Sequence, residues 1–138
     1  MKKYLSFWLL FLVFTESNAQ KNKKNLFQEE NSTKTESKII LAKMKLDSAY
    51  VSYDNLFVEK SKYFLDQSKK LGIKSGDFYF LLGAYMFRKY EFRAAKRYWK
   101  IAYTEGDCWE CKELLSKLEN KESIEVDIIK KVRTYLAK

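Results

Sequence analysis

The stretch "YFLLGAYMFRKYEFRAAKRYWKIAYTEGD", Tyr79 to Asp107, decides how this chain is built. Its spacing predicts one helix over about Phe78–Lys89 and a second over about Glu91–Glu105, ending at Gly106. Gly83 lies on the first and Ala95 on the second, so the two helices can approach closely. Tyr79 and Trp99 are large enough to fill the space around that contact.

The same periodicity extends outward. Upstream, Leu46, Tyr50, Tyr53 and Phe57 recur at intervals of three and four, as one helix face requires, with a break expected at Tyr53–Asn55. A second helix is predicted from Leu56 to Leu71, with Phe57, Phe64 and Leu71 as its apolar stripe and Gly72 ending it. Asp77 is placed to cap the third helix. Downstream, a fifth helix starts after Asp107 and reaches Leu118, and "NKES" breaks it. Ser123 then caps a sixth helix, in which Ile124, Ile128, Val132 and Leu136 fall every fourth residue. With four Gly and no Pro among 138 residues, nothing forces frequent turns. The chain reads as all-α: six helices with short connections over residues 39–138. Residues 20–38, rich in Lys, Asn, Glu and Ser, are expected to form a disordered polar linker.

The N-terminus has the three-part pattern of a secretory signal peptide over residues 1–19. A basic "MKK" precedes the apolar "LSFWLLFLVF", and Ser17 and Ala19 stand at positions −3 and −1 of a cleavage site. Ten apolar residues in a helix span roughly 15 Å, half the hydrocarbon thickness, so a membrane anchor fits poorly. The predicted product is exported, periplasmic or secreted, and has no transmembrane span after cleavage.

Gly72 and Gly106 lie 34 positions apart, each just past an aromatic-rich helix. The residues of the second period resemble a tetratricopeptide repeat. Tyr79 stands at the family's large aromatic, Leu82 and Gly83 at its Leu-Gly pair, and Met86 at its second large position. Ala95, Trp99 and Ala102 match the Ala, aromatic and Ala of its second helix. The tail "AYTEGDCWEC" is similar to the end of a Sel1-like repeat, without that family's Gly-rich loop. Asp107 replaces the family's terminal Pro, and a shift back of 34 puts Lys45, Ser48, Ala49 and Ser52, poor core residues, at the first repeat's core positions. The resemblance implies a short right-handed α-solenoid with C-terminal capping helices. It also implies a protein or peptide partner bound along the first helix of each pair: Asp77, Phe80, Ala84, Phe87 and Arg88, with Leu46, Tyr50 and Tyr53 from the first repeat. Phe80 and Phe87 lie seven apart, so they form either an exposed aromatic strip or packing against the first helix.

"DCWECK" holds both cysteines, Cys108 and Cys111. A redox dithiol of the thioredoxin kind needs a strand framework that the pattern does not offer. Tetrahedral zinc needs two more ligands, and the chain has no His and no other Cys. "CWECK" resembles the lysine-terminated haem motif of the multihaem cytochrome c nitrite reductases, over five residues and with Lys112 in place of His. In an exported chain two nearby cysteines tend to oxidise, so a local disulfide at a helix start is the reading adopted, with no metal and no cofactor.

The net charge is +9, and Lys89, Arg93, Lys96, Arg97 and Lys100 fall on one helix face. Such a stripe is a solvated surface or a site for an anionic surface; nucleic acid is not expected outside the cytoplasm. No phosphate loop or nucleophile motif appears, and Glu110 and Glu113 read as solvated charges. The function expected is therefore a non-catalytic binding module. A thiol-redox or haem protein, or a basic envelope-associated structural protein, stands as the alternative.

Overall fold

The computed structural model describes residues 31–138, so the leader expected at 1–19 lies outside the described residues, as does the part of the linker before residue 31. Residues 31–38 of the expected linker are helical, continuous with the helix that runs to residue 54. Thr35 and Ser37 donate to the carbonyls of Asn31 and Thr33, four residues back. All eight are exposed. A helix needs only its own hydrogen bonds, so the low hydrophobicity that argues against a core does not exclude it.

Residues 39–138 form one compact unit. It holds six helices and, among the described residues, no strand. We number them α1 (residues 31–54), α2 (Val58–Lys70), α3 (Gly76–Arg88), α4 (Phe92–Glu105), α5 (Trp109–Glu119) and α6 (Glu125–Leu136). The core runs through all of them, from Leu46 and Tyr50 to Ile128 and Val132.

The pairing of α3 with α4 follows the expected logic. A Cβ on Gly83 would lie 2.5 Å from Trp99 Nε1, so the indole occupies the space a side chain would need. Trp99 is fully buried and its Nε1–H donates to the Phe80 carbonyl at 3.1 Å. Ala95 and Ala102 are buried beside it. Two turns beyond the Gly83–Trp99 contact, Gly76 meets Gly106 so closely that a Cβ on Gly76 would lie 2.8 Å from the Gly106 carbonyl carbon.

The first helix pair uses the same small positions with different chemistry. Thirty-four residues before Gly83, Ala95 and Ala102 stand Ala49, Ser61 and Ser68, all fully buried. Ser61 Oγ donates to the Ala49 carbonyl at 2.8 Å, and Ser68 Oγ to the Ala42 carbonyl at 2.9 Å. A hydroxyl that returns its proton to the neighbouring helix is small and satisfied, so α2 can approach α1 through serine. This corrects the expected stripe on the second helix. Ser61, Leu65 and Ser68 face inward, Phe64 and Leu71 are half-buried, and Phe57 is 62% exposed.

Helix ends differ from expectation in instructive ways. Ser75, not Asp77, caps α3, its Oγ accepting from the Phe78 N–H at 3.2 Å. Ile124 rather than Ser123 occupies the cap position of α6. In α6, Leu136 is exposed and Tyr135 is the residue turned to the core. Steps of four residues drift by about 40° each on a 3.6-residue helix, so three steps from Ile124 carry Leu136 off the face while Tyr135 stays on it.

Four helices end in one backbone motif, with N–H bonds returning three and five residues. Leu56 and Phe57 donate to Tyr53 and Ser52, Gly72 and Ile73 to Lys69 and Ser68. Tyr90 and Glu91 donate to Phe87 and Met86, and Lys121 and Glu122 to Leu118 and Lys117. The motif requires a left-handed residue, and only after α2 is it glycine, Gly72 at φ 94°. Leu56 (65°), Tyr90 (61°) and Lys121 (57°) hold the same conformation with a Cβ, at a cost of roughly 1 kcal/mol each.

Gly83→Ala is expected to lower unfolding free energy by roughly 1–3 kcal/mol, because the new methyl must displace the Trp99 ring. A denaturant midpoint unchanged from the parent would show that α3 and α4 do not depend on this contact.

Candidate functional site

The faces of α1 and α3 that the sequence marks as a groove are occupied, and the occupant is α6, which also meets α5. Leu46, Tyr50 and Tyr53 from α1 and Phe80 and Ala84 from α3 are all buried. Phe87 is half-buried, against Phe92 and Trp99 at ring-centroid distances of 5.4 and 5.7 Å. Asp77 and Arg88 are half-buried at the two ends of α3. No open aromatic strip exists, since Phe80 is fully buried and Phe87 turns toward α4.

α1 meets α3 through two phenols. Tyr50 Oη donates to the Asp77 carbonyl at 2.8 Å, and Tyr53 Oη to the Ala84 carbonyl at 3.3 Å. Across this surface α6 lays Ile124, Ile128 and Val132, none more than 3% exposed. The Tyr135 ring stacks on Tyr50 with centroids 3.7 Å apart, and its hydroxyl donates to Asp47. Arg133 reaches Asp54 at 3.3 Å, so later residues of α6 meet earlier residues of α1 and the two helices run antiparallel. Lys131 bonds Glu110 of α5 at 2.9 Å and lies 5.9 Å from the centre of the Phe80 ring. α6 therefore contacts α1, α3 and α5, each through a specific side chain.

The electrostatics are complementary. Asp47, Asp54 and Glu110 lie at the rim of the covered faces, and each meets a donor of α6. The Lys131 hydrogen bond is the main cause that holds the Glu110 carboxyl below its usual range. Burial pushes the Tyr50 phenol well up, aided by Asp77. The Tyr135 phenol is raised by burial first and by its bond to Asp47 second. Beside α6 a cleft of about 340 Å³ remains, lined by residues such as Phe80, Glu110 and Lys130.

The sequence pattern marked neither partner set. Glu110, which reads as a solvated charge, is an ion-pair partner of α6, and Lys131, Arg133 and Tyr135 went unmarked. The available signal was the strict Ile/Ile/Val spacing of α6, which is more apolar than an end cap requires.

The basic stripe is partly neutralised. Lys89 belongs to the end of α3, not to the fourth helix, and pairs with Glu59 at 3.0 Å. Lys96 pairs with Glu119 at 2.6 Å. Arg97 lies over the ring of Tyr98, 4.9 Å from its centre. Arg93 and Lys100 are exposed on α4.

Cys108 and Cys111 are within disulfide distance, with Cα atoms 5.4 Å apart across the first turn of α5. Both are buried while Trp109 between them is 72% exposed. Lys112, the axial position of the haem resemblance, is exposed. Among the described residues no three His, Cys, Asp or Glu side chains gather as a metal site, and no helix is long and apolar enough to cross a membrane. No protein-family model, curated protein or solved structure matches this chain.

Two solution measurements follow. A tyrosine raised in the folded state stabilises below the unfolded value near 10.0, and that contribution is lost as pH climbs toward the folded value. Stability should therefore fall above pH 10.0, by up to about 1.4 kcal/mol per pH unit for each phenol, and Tyr50→Phe should flatten the slope in urea titrations. Reducing the Cys108–Cys111 bridge should cost at most about 2 kcal/mol, since the loop it closes is so short. A larger loss on adding reductant would mean that the bridge constrains more than one helical turn.

Proposed function

We propose that this chain is a non-catalytic, tetratricopeptide-like binding module whose face across α1, α3 and α5 receives an amphipathic helix. In this conformation α6 is that helix. The observation that carries the reading is the set of three polar clasps, Tyr135 to Asp47, Arg133 to Asp54 and Lys131 to Glu110, around one apolar row. Grooves that bind helices use an apolar face at helical spacing with charges at its rim, and α6 supplies the pattern of the ligand. Support for the repeat reading comes from α2 and α4 beginning 34 residues apart, and from the left-handed Leu56 and Tyr90 being separated by the same number. The leader-like N-terminus and the Cys108–Cys111 pair favour an exported setting.

The test uses the full chain carrying Lys131→Ala, Arg133→Ala and Tyr135→Ala, with retained helicity checked by circular dichroism. A synthetic peptide of residues 123–138 should bind this variant at least about ten-fold more tightly than it binds the parent, because the variant's own α6 competes less. A peptide carrying Val132→Asp should lose that binding. A folded variant that ignores the peptide makes α6 a plain part of the core and removes the groove.

A further inference from the structure

The connections after α1 and α3 expose large apolar side chains in a backbone conformation that L residues resist. Leu56 and Tyr90 occupy the same place in the same turn, 34 residues apart, and are 62% and 81% exposed. Neither side chain belongs to the core. The chain uses glycine for the identical turn after α2, where Gly72 has open space around it. Retaining Leu and Tyr where glycine suits the backbone, and where the side chain contributes little to the core, points to a use outside the fold.

Their neighbours share the character. Phe57 is 62% exposed and Phe92 45%. The turns adjoin, because Lys89 at the end of α3 bonds Glu59 at the start of α2, while the Tyr90 and Phe87 rings lie 6.2 and 5.4 Å from Phe92. Clefts of about 350 and 510 Å³ meet at Phe87 and Phe92, the second reaching Leu118 near the end of α5 and Lys121 beyond it. One edge of the molecule thus carries apolar tips above shallow apolar clefts.

The charge of this edge selects its partner. Three of its acids are already held by cations: Glu59 by Lys89, Asp54 by Arg133 and Glu119 by Lys96. Glu91 and Glu122 are then outnumbered by Lys60, Arg93 and Lys121, all exposed, in a chain of net charge +9. Protruding aromatic and aliphatic side chains flanked by surplus cations match the interface of a bilayer bearing anionic headgroups. There rings sit at headgroup level and basic side chains reach the lipid charge. We propose that this edge is a membrane-surface docking site, which lays Leu56, Phe57, Tyr90 and Phe92 among the headgroups of an anionic bilayer. It borders the helix-receiving face but uses the outward side chains of the turns, whereas that face uses the buried row under α6.

The experiment compares full chains on sedimenting vesicles of phosphatidylcholine, with and without phosphatidylglycerol. Leu56→Gly with Tyr90→Gly suits the backbone, so this variant should melt at a higher temperature than the parent while binding the anionic vesicles roughly ten-fold or more weakly. Lys60→Glu with Arg93→Glu and Lys121→Glu should abolish the preference for phosphatidylglycerol, whereas Arg97→Glu with Lys100→Glu on the outer side of α4 should leave it in place. Equal vesicle affinity of the parent and the glycine variant overturns the proposal, whatever else holds the chain to lipid. So does loss of binding through Arg97 and Lys100 alone, which assigns the attraction to the α4 stripe.

Discussion

Trp99 lies where Gly83 has no side chain, and the rest of the fold is arranged around that contact. The indole sets how closely α4 lies on α3 and, by donating to the Phe80 carbonyl, fixes where α3 presents its other residues. α3 is the helix that the others share. Tyr50 and Tyr53 of α1 bond its carbonyls, and Lys131 of α6 lies over its Phe80 ring. A shift in the α3–α4 spacing would be felt at all of these contacts, because packed interiors transmit strain rather than absorb it.

The parts that were legible in the sequence are those in which residue size alone carries the meaning. Gly83, Ala95 and Trp99 announce a close helix pair because no other arrangement uses two small residues opposite an indole so well. Ser61 and Ser68 announce nothing, since a serine reads as surface until a carbonyl of the adjacent helix is seen to accept its proton. Leu56 reads as the start of a helix and Tyr90 as the residue between two, and their left-handed backbone appears only once the turn is built. Leu46, Tyr50, Tyr53, Phe80 and Ala84 share one buried region, but nothing in their spacing names the element that covers them. Local periodicity shows that α6 has an apolar face and cannot say which distant face it meets.

Charge behaves differently on the two sides of the molecule. On the face under α6, carboxylates and donors are matched one to one, so the overall positive charge is not expressed there. On the outer stripe Lys89 and Lys96 are drawn into pairs with Glu59 and Glu119, exposed bridges that contribute little to stability but remove the regularity seen along the chain. A run of like charge at helical spacing therefore overstates the field that a partner would meet. Which acids neighbouring helices bring to it decides the rest.

The clasps between α6 and α1 join residues 79 and 88 positions apart, whereas the α3–α4 and α4–α5 contacts are between chain neighbours. Contacts so distant along the chain close late, after the loop entropy between them has been overcome. Until they close, the surface around Tyr50 and Phe80 is uncovered. The order of contact formation thus gives the folding chain an interval in which its inner surface is bare, ended when α6 docks.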